Sequence, residues 1–109
     1  MPFDESTAGR VRTALGRSKK ITEKKMFGGL AFMYRGNMLC GVLNNQLVLR
    51  LGDTAAQQAL AEPHVRPMDF TGKPMKSMVY VTPAGFGDDR SLKRWLDLAR
   101  AFVTTLPPK

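Results

Sequence analysis

Residues 30–51, LAFMYRGNMLCGVLNNQLVLRL, decide how this chain folds. Leu30, Phe32 and Tyr34 alternate along the stretch, as do Met38, Cys40 and Val42, and then Leu47, Leu49 and Leu51. A period of two belongs to a strand, not to a helix. The alternating runs are separated by Arg35-Gly36-Asn37 and Asn44-Asn45, residues that tolerate the positive φ of tight hairpins. The reading is three antiparallel strands and two hairpins, with a further strand over Ile21–Phe27 in front of them. The intervening positions hold Ala31, Met33, Leu39 and Leu43, but also Asn37, Gln46 and Arg50. One face is therefore apolar and the other mixed, as in a sheet covered fully on one side only.

Helical patterns flank this meander. Over residues 4–16, Ala8, Val11 and Leu15 form one apolar stripe, Asp4 suits the start, Gly16 suits the end, and Gly9 weakens the middle. Asp53–Ala61 reads as a short helix capped by Asp53 and stopped by Pro63. Residues 62–74, with three prolines and Gly72, read as an irregular connection. Met75–Thr82 is rich in β-formers and reads as a strand, and residues 83–87 as a loop. Leu92, Trp95, Leu96, Ala99, Phe102, Val103 and Leu106 keep the spacing of an amphipathic helix. Asp88 or Asp89 caps it and Pro107-Pro108 ends it.

The order helix, meander, helix, strand, helix predicts an α+β fold. It has two layers, an antiparallel or mixed sheet with helices packed on one face. The 109 residues (12.1 kDa) suit a single domain over residues 1–109. No apolar run approaches the ~20 residues of a membrane-spanning helix, and the acidic start Met1-Pro2-Phe3-Asp4-Glu5 has no apolar core of a secretory signal. A cytoplasmic protein without membrane contact is expected.

The formal net charge is +8, and its distribution is uneven. Arg10, Arg12, Arg17, Lys19, Lys20, Lys24 and Lys25 crowd into residues 10–25 with one acid, Glu23. Such a field attracts nucleic acid or acidic protein surfaces, and it also serves simply as a solvated face. No aromatic residue interleaves with the cluster before Phe27, so a stacking platform for single strands is not indicated.

Catalytic patterns are scarce. His64 is the single histidine and lies between Pro63 and Val65, with no nucleophile at a spacing that suggests a triad. Cys40 falls inside a predicted central strand, where a free cysteine is a small buried hydrophobe. One cysteine also excludes an intramolecular disulfide and a cysteine-based zinc site. The pairs Asp4-Glu5 and Asp88-Asp89 stand at helix starts, where capping explains them. Gly85-Phe86-Gly87 lacks both the third glycine of a dinucleotide fingerprint and the Gly-Lys-Ser/Thr of a P-loop. The expectation is no enzyme, no catalytic residue, no metal and no cofactor. Seven methionines are many for this length; exposed together, they would form an adaptable partner-binding surface.

Several ordered motifs carry a family resemblance. They are residues 24–32 (Lys24-Lys25-Met26-Phe27-Gly28-Gly29 and onward), Gly36-Asn37-Met38, Cys40-Gly41-Val42, Leu49-Arg50-Leu51-Gly52, Pro67 through Lys76, Val79-Tyr80-Val81 and Leu106 through Lys109. Together they resemble the N-terminal domain of the TfoX/Sxy family over nearly the whole chain. The resemblance implies a two-layer α+β domain with a regulatory, non-enzymatic role. Full-length relatives are associated with natural competence and with transcriptional control of DNA-uptake genes, and carry a C-terminal helical domain that these residues do not include. It singles out Met26, Phe27, Gly28 and Gly29 and the Gly72-Lys73-Pro74 turn. A protein partner is expected. The alternative is direct nucleic-acid binding through Arg17, Lys19, Lys20, Lys24 and Lys25. An exposed strand edge would also allow a homodimer.

Overall fold

The computed structural model describes residues 4–16, 20–26, 28–68 and 75–107. The elements in chain order are α1 (Glu5–Leu15), β1 (Ile21–Met26), β2 (Gly29–Tyr34), β3 (Asn37–Leu43), β4 (Gln46–Arg50), α2 (Asp53–Ala59), β5 (Val65–Met68), β6 (Met75–Val81) and α3 (Asp89–Val103). The six strands form one open sheet in the order β1-β2-β3-β4-β6-β5, and every pairing is antiparallel. The fold is therefore α+β, as the sequence pattern indicates.

Local chemistry explains most boundaries. The Asp4 carboxylate accepts from the Thr7 amide (3.1 Å) and hydroxyl (2.6 Å), capping α1 and lowering its own pKa, the hydroxyl bond being the larger cause. Gly16 ends α1 at φ +74°. Arg35 (φ +50°) and Gly36 (φ +85°) make the β2–β3 turn, and Asn44 (φ +55°) the β3–β4 turn.

Some expectations are corrected. Residues 62–74 are not wholly irregular: Val65–Met68 is a strand paired with β6. It carries Pro67, which a strand tolerates only at a sheet edge, and β5 is an edge. The cap of α2 is Gly52, at φ +85°, and Asp53 falls in the first turn. The predicted loop after β6 contains a 3-10 turn over Pro83–Phe86. The last helix starts as expected, with Asp88 at its N-cap, but stops at Val103, about one turn before Pro107.

All three helices share one core on one side of the sheet. Val11 and Leu15 from α1, Ala56 and Ala59 from α2, and Leu92, Trp95, Leu96, Ala99 and Val103 from α3 pack with Leu30, Phe32, Cys40, Val42, Leu47, Leu49, Val79 and Val81. The Trp95 indole N–H donates to the Gly85 carbonyl at 3.1 Å, so the largest buried side chain is also satisfied. A bulge in β3 alters the expected alternation. Phe32 pairs with Cys40 but Met33 pairs with Met38, leaving Leu39 unpaired. Leu39 consequently joins the helix-side core, and Met38 turns to the opposite face. Among the described residues no helix is long and apolar enough to cross a membrane.

Candidate functional site

Register places one row of residues across the sheet face opposite the helices. Lys24 pairs with Ala31, Ala31 with Gly41, Gly41 with Val48, Val48 with Tyr80, and Tyr80 with Arg66. Directly paired residues point to the same side of a sheet. The row thus runs from edge strand to edge strand, with Ala31, Gly41, Val48 and Tyr80 in the middle and a cation at each end. At ~4.8 Å per strand step, its five steps cover about 24 Å.

Around the row's Val48 (0% exposed), Met78 (6%) completes a second apolar cluster, with half-buried Met38, Leu43 and Tyr80 packed on it. None of the helix residues of the main core belongs to this cluster. Methionine suits such a surface because its unbranched thioether adapts to varied shapes. The lysines at the β1 edge are exposed, as is Arg66.

The basic cluster of residues 10–25 is divided. Arg12 is committed to Glu23 through two hydrogen bonds of 2.6 and 2.8 Å. Arg10 reaches Asp89 at 3.3 Å and stacks 5.7 Å from the Phe86 ring. Lys24 and Lys25 are consecutive on β1 and so lie on opposite faces, Lys24 opposite Ala31 and Lys25 opposite Leu30. Lys20 sits in the turn before β1. Arg17 and Lys19 lie outside the described residues.

Within the Met26-Phe27-Gly28-Gly29 motif, Gly28 takes φ +76° in the β1–β2 turn, a conformation glycine adopts freely. Gly29 opens β2 opposite Met26 and is buried. Phe27, Gly72, Lys73 and Pro74 lie outside the described residues.

The two nucleophile-bearing candidates have other surroundings. Cys40 is fully buried, and burial pushes its thiol pKa far above the ordinary value, with Arg100 opposing weakly. His64 is exposed at φ +68°, and its backbone carbonyl accepts from the Thr82 amide at 2.8 Å, a turn-holding role. Among the described residues no three His, Cys, Asp or Glu side chains converge as metal ligands would. Grooves on the helix side include one of about 560 Å³ between α1 and α3, lined by Gly9, Arg10, Thr13, Ala14, Asp89 and Lys93. Another, about 400 Å³, runs between α2 and α3 beside Leu98 and Phe102.

Periodicity alone could not find the edge-to-edge row, because its members come from six strands with no fixed spacing. The signals in the sequence were the mixed second face and the number of methionines. Comparison with protein families matches the TfoX N-terminal domain over residues 13–103. Comparison with curated proteins and with solved structures gives no match.

Proposed function

The chain belongs to the TfoX N-terminal domain family, and from this premise we propose that it is a non-enzymatic docking domain that binds a protein partner through the sheet face opposite its helices. The family's association with competence regulation makes control of transcription through that partner the natural output of docking. The observation that carries this reading is the apolar cluster of Val48, Met78, Met38, Leu43 and Tyr80, which lies apart from the helix-covered core. Val48 and Met78 are themselves buried, so what the cluster offers a partner is its half-buried rim of Met38, Leu43 and Tyr80. The deep burial of Cys40 and the turn-holding role of His64 support a role without bond-breaking chemistry.

Direct nucleic-acid binding through Lys20, Lys24, Lys25 and their neighbours ranks second. A phosphate backbone needs cations on one surface, whereas Lys24 and Lys25 face opposite ways and Arg12 is paired. Strand-edge dimerisation ranks lower still. The β1 edge presents Lys24 and Lys25 and the β5 edge contains Pro67, both devices that discourage edge pairing.

Photo-crosslinking in the native cell tests the proposal. A photoreactive amino acid at Met38 or Leu43 is expected to give a discrete protein adduct that the same group at Leu98, on the helix side, does not give. Adducts confined to Leu98, or adducts to nucleic acid at the β1 lysines, would refute it.

A further inference from the structure

We propose that Met33 and Met38 form a paired oxidation site, and that conversion of their thioethers to sulfoxides by a hydroperoxide blocks docking on this face of the sheet. The block rests on the docking reading above; the oxidation site stands on the geometry of the two methionines.

Met33 of β2 and Met38 of β3 are direct partners in the register. Phe32 belongs to the helix-side core, so alternation puts Met33 on the other face, and Met38 packs there against Val48 and Met78. Directly opposed residues of an antiparallel pair have Cβ atoms ~4.5–5.5 Å apart, so the two side chains share one patch. The bulge that leaves Leu39 unpaired is what brings Met38 to this face, away from Cys40.

Access selects these sulfurs over their neighbours. Met33 and Met38 are half-buried and open in part to solvent. Met78, on the same face, is 6% exposed, and Cys40, the residue that a search for redox centres would pick first, is 0% exposed. A thioether needs no deprotonation to react, so exposure governs its rate. Its lone pair attacks one oxygen of the hydroperoxide as the O–O bond breaks. The S–O bond forms, the proton of that oxygen passes to the departing hydroxide or alkoxide, and water or an alcohol leaves. Sulfur gives up two electrons and the peroxide takes them. Reductases specific for methionine sulfoxide reverse the change.

The product alters the rim that a partner would touch. A sulfoxide is polar and chiral where the thioether was apolar and adaptable. Val48, Met78 and Leu43, the aliphatic members of the cluster, offer no side-chain donor to the new oxygen. A partner that covers Met38 would bury that oxygen unpaired, a cost that the reduced protein does not meet.

Timed hydrogen peroxide treatment of the purified protein, read by peptide mass mapping, tests the site. Met33 and Met38 should gain oxygen about fivefold or more faster than Met78, following exposure. The Trp95 indole N–H resonance should keep its position throughout, because the helix-side core is not touched. Equal rates at all three methionines, or loss of the indole resonance as oxygen is gained, would overturn the assignment. The second arm uses a photoreactive group at Leu43 and protein oxidised before it is mixed with cell extract and irradiated. Oxidation should lower the yield of the protein adduct severalfold, a sulfoxide reductase should restore it, and the volume-conserving Met33→Leu/Met38→Leu variant should give the same yield with or without peroxide. Selective oxidation with an unchanged adduct yield would overturn the block and leave the docking face standing. Absence of any adduct from the untreated protein would refute the docking face, and the oxidation rates would still decide the site.

Discussion

Arg12 of α1 and Glu23 of β1 meet as a two-bonded fork, Nε to Oε2 at 2.6 Å and Nη2 to Oε1 at 2.8 Å. The contact clips the first helix to the edge strand and explains why part of the basic cluster is not available to a ligand.

The Glu23 carboxyl is held below its usual pKa, chiefly by the Arg12 hydrogen bond, with partial burial opposing and the Arg12 charge adding. A depressed carboxylate pKa contributes stability above the unfolded value and loses it as pH falls through the folded value. The side chains are 51% and 36% exposed, so the pair is worth only ~0.2–1 kcal/mol. Glu23→Gln should lower unfolding stability by that amount near neutral pH. The gap between the two proteins should shrink as pH falls through the folded-state pKa of Glu23 and vanish once that carboxyl is protonated in both states. Urea denaturation at several pH values reads it directly; a gap that persists in acid would show that charge is not its source.

Trp95 fills the centre of the helix–sheet interface and donates to Gly85. Trp95→Ala should cost ~3–5 kcal/mol. Trp95→Phe should cost less, since it keeps most of the volume, but it leaves the Gly85 carbonyl without that donor. Denaturant midpoints of the two variants check the order, and a loss below about 1 kcal/mol for alanine would contradict the packing described.

Gly52 and Gly9 should respond oppositely to alanine. At Gly52, φ is +85° and a Cβ would stand 2.6 Å from Phe102 Cδ1. At Gly9, inside α1, a Cβ would meet nothing within 4 Å. Gly9→Ala should therefore stabilise by ~0.5–1 kcal/mol through helix propensity. Gly52→Ala should destabilise, and adding Phe102→Ala should relieve the clash while leaving ~1–3 kcal/mol of backbone strain. A double-mutant cycle in urea separates the two contributions.

Cys40 should resist thiol reagents in the native protein, even under mildly alkaline conditions, because burial raises its pKa and blocks access. Labelling by a disulfide reagent should follow the rate of unfolding and become fast in denaturant. Rapid stoichiometric labelling of the native protein would contradict its position.

Where neighbouring residues decide structure, the sequence was readable. The meander, the capping of α1 by Asp4 and the apolar stripe of α3 all rest on short-range periodicity and turn chemistry. β5 was hidden by its four-residue length and by Pro67, whose cost vanishes only once the strand is known to be an edge. The bulge at Leu39 was hidden because strict alternation puts Met38 and Cys40 together, and one unpaired residue reverses that for Met38. Of the candidate contacts, the lysines of β1 could be named from sequence. Their separation onto two faces, and the alignment of Lys24 with Arg66, arise only when six strands come into register.

Arg100 of α3 donates to the Leu15 carbonyl at the end of α1, joining positions 85 apart in the chain. The meander can assemble from neighbours as it leaves the ribosome, but α1 must wait for α3 before its apolar stripe is covered. Until then Val11 and Leu15 have only the sheet to shield them, which leaves that stripe open to chaperones in a partly made chain.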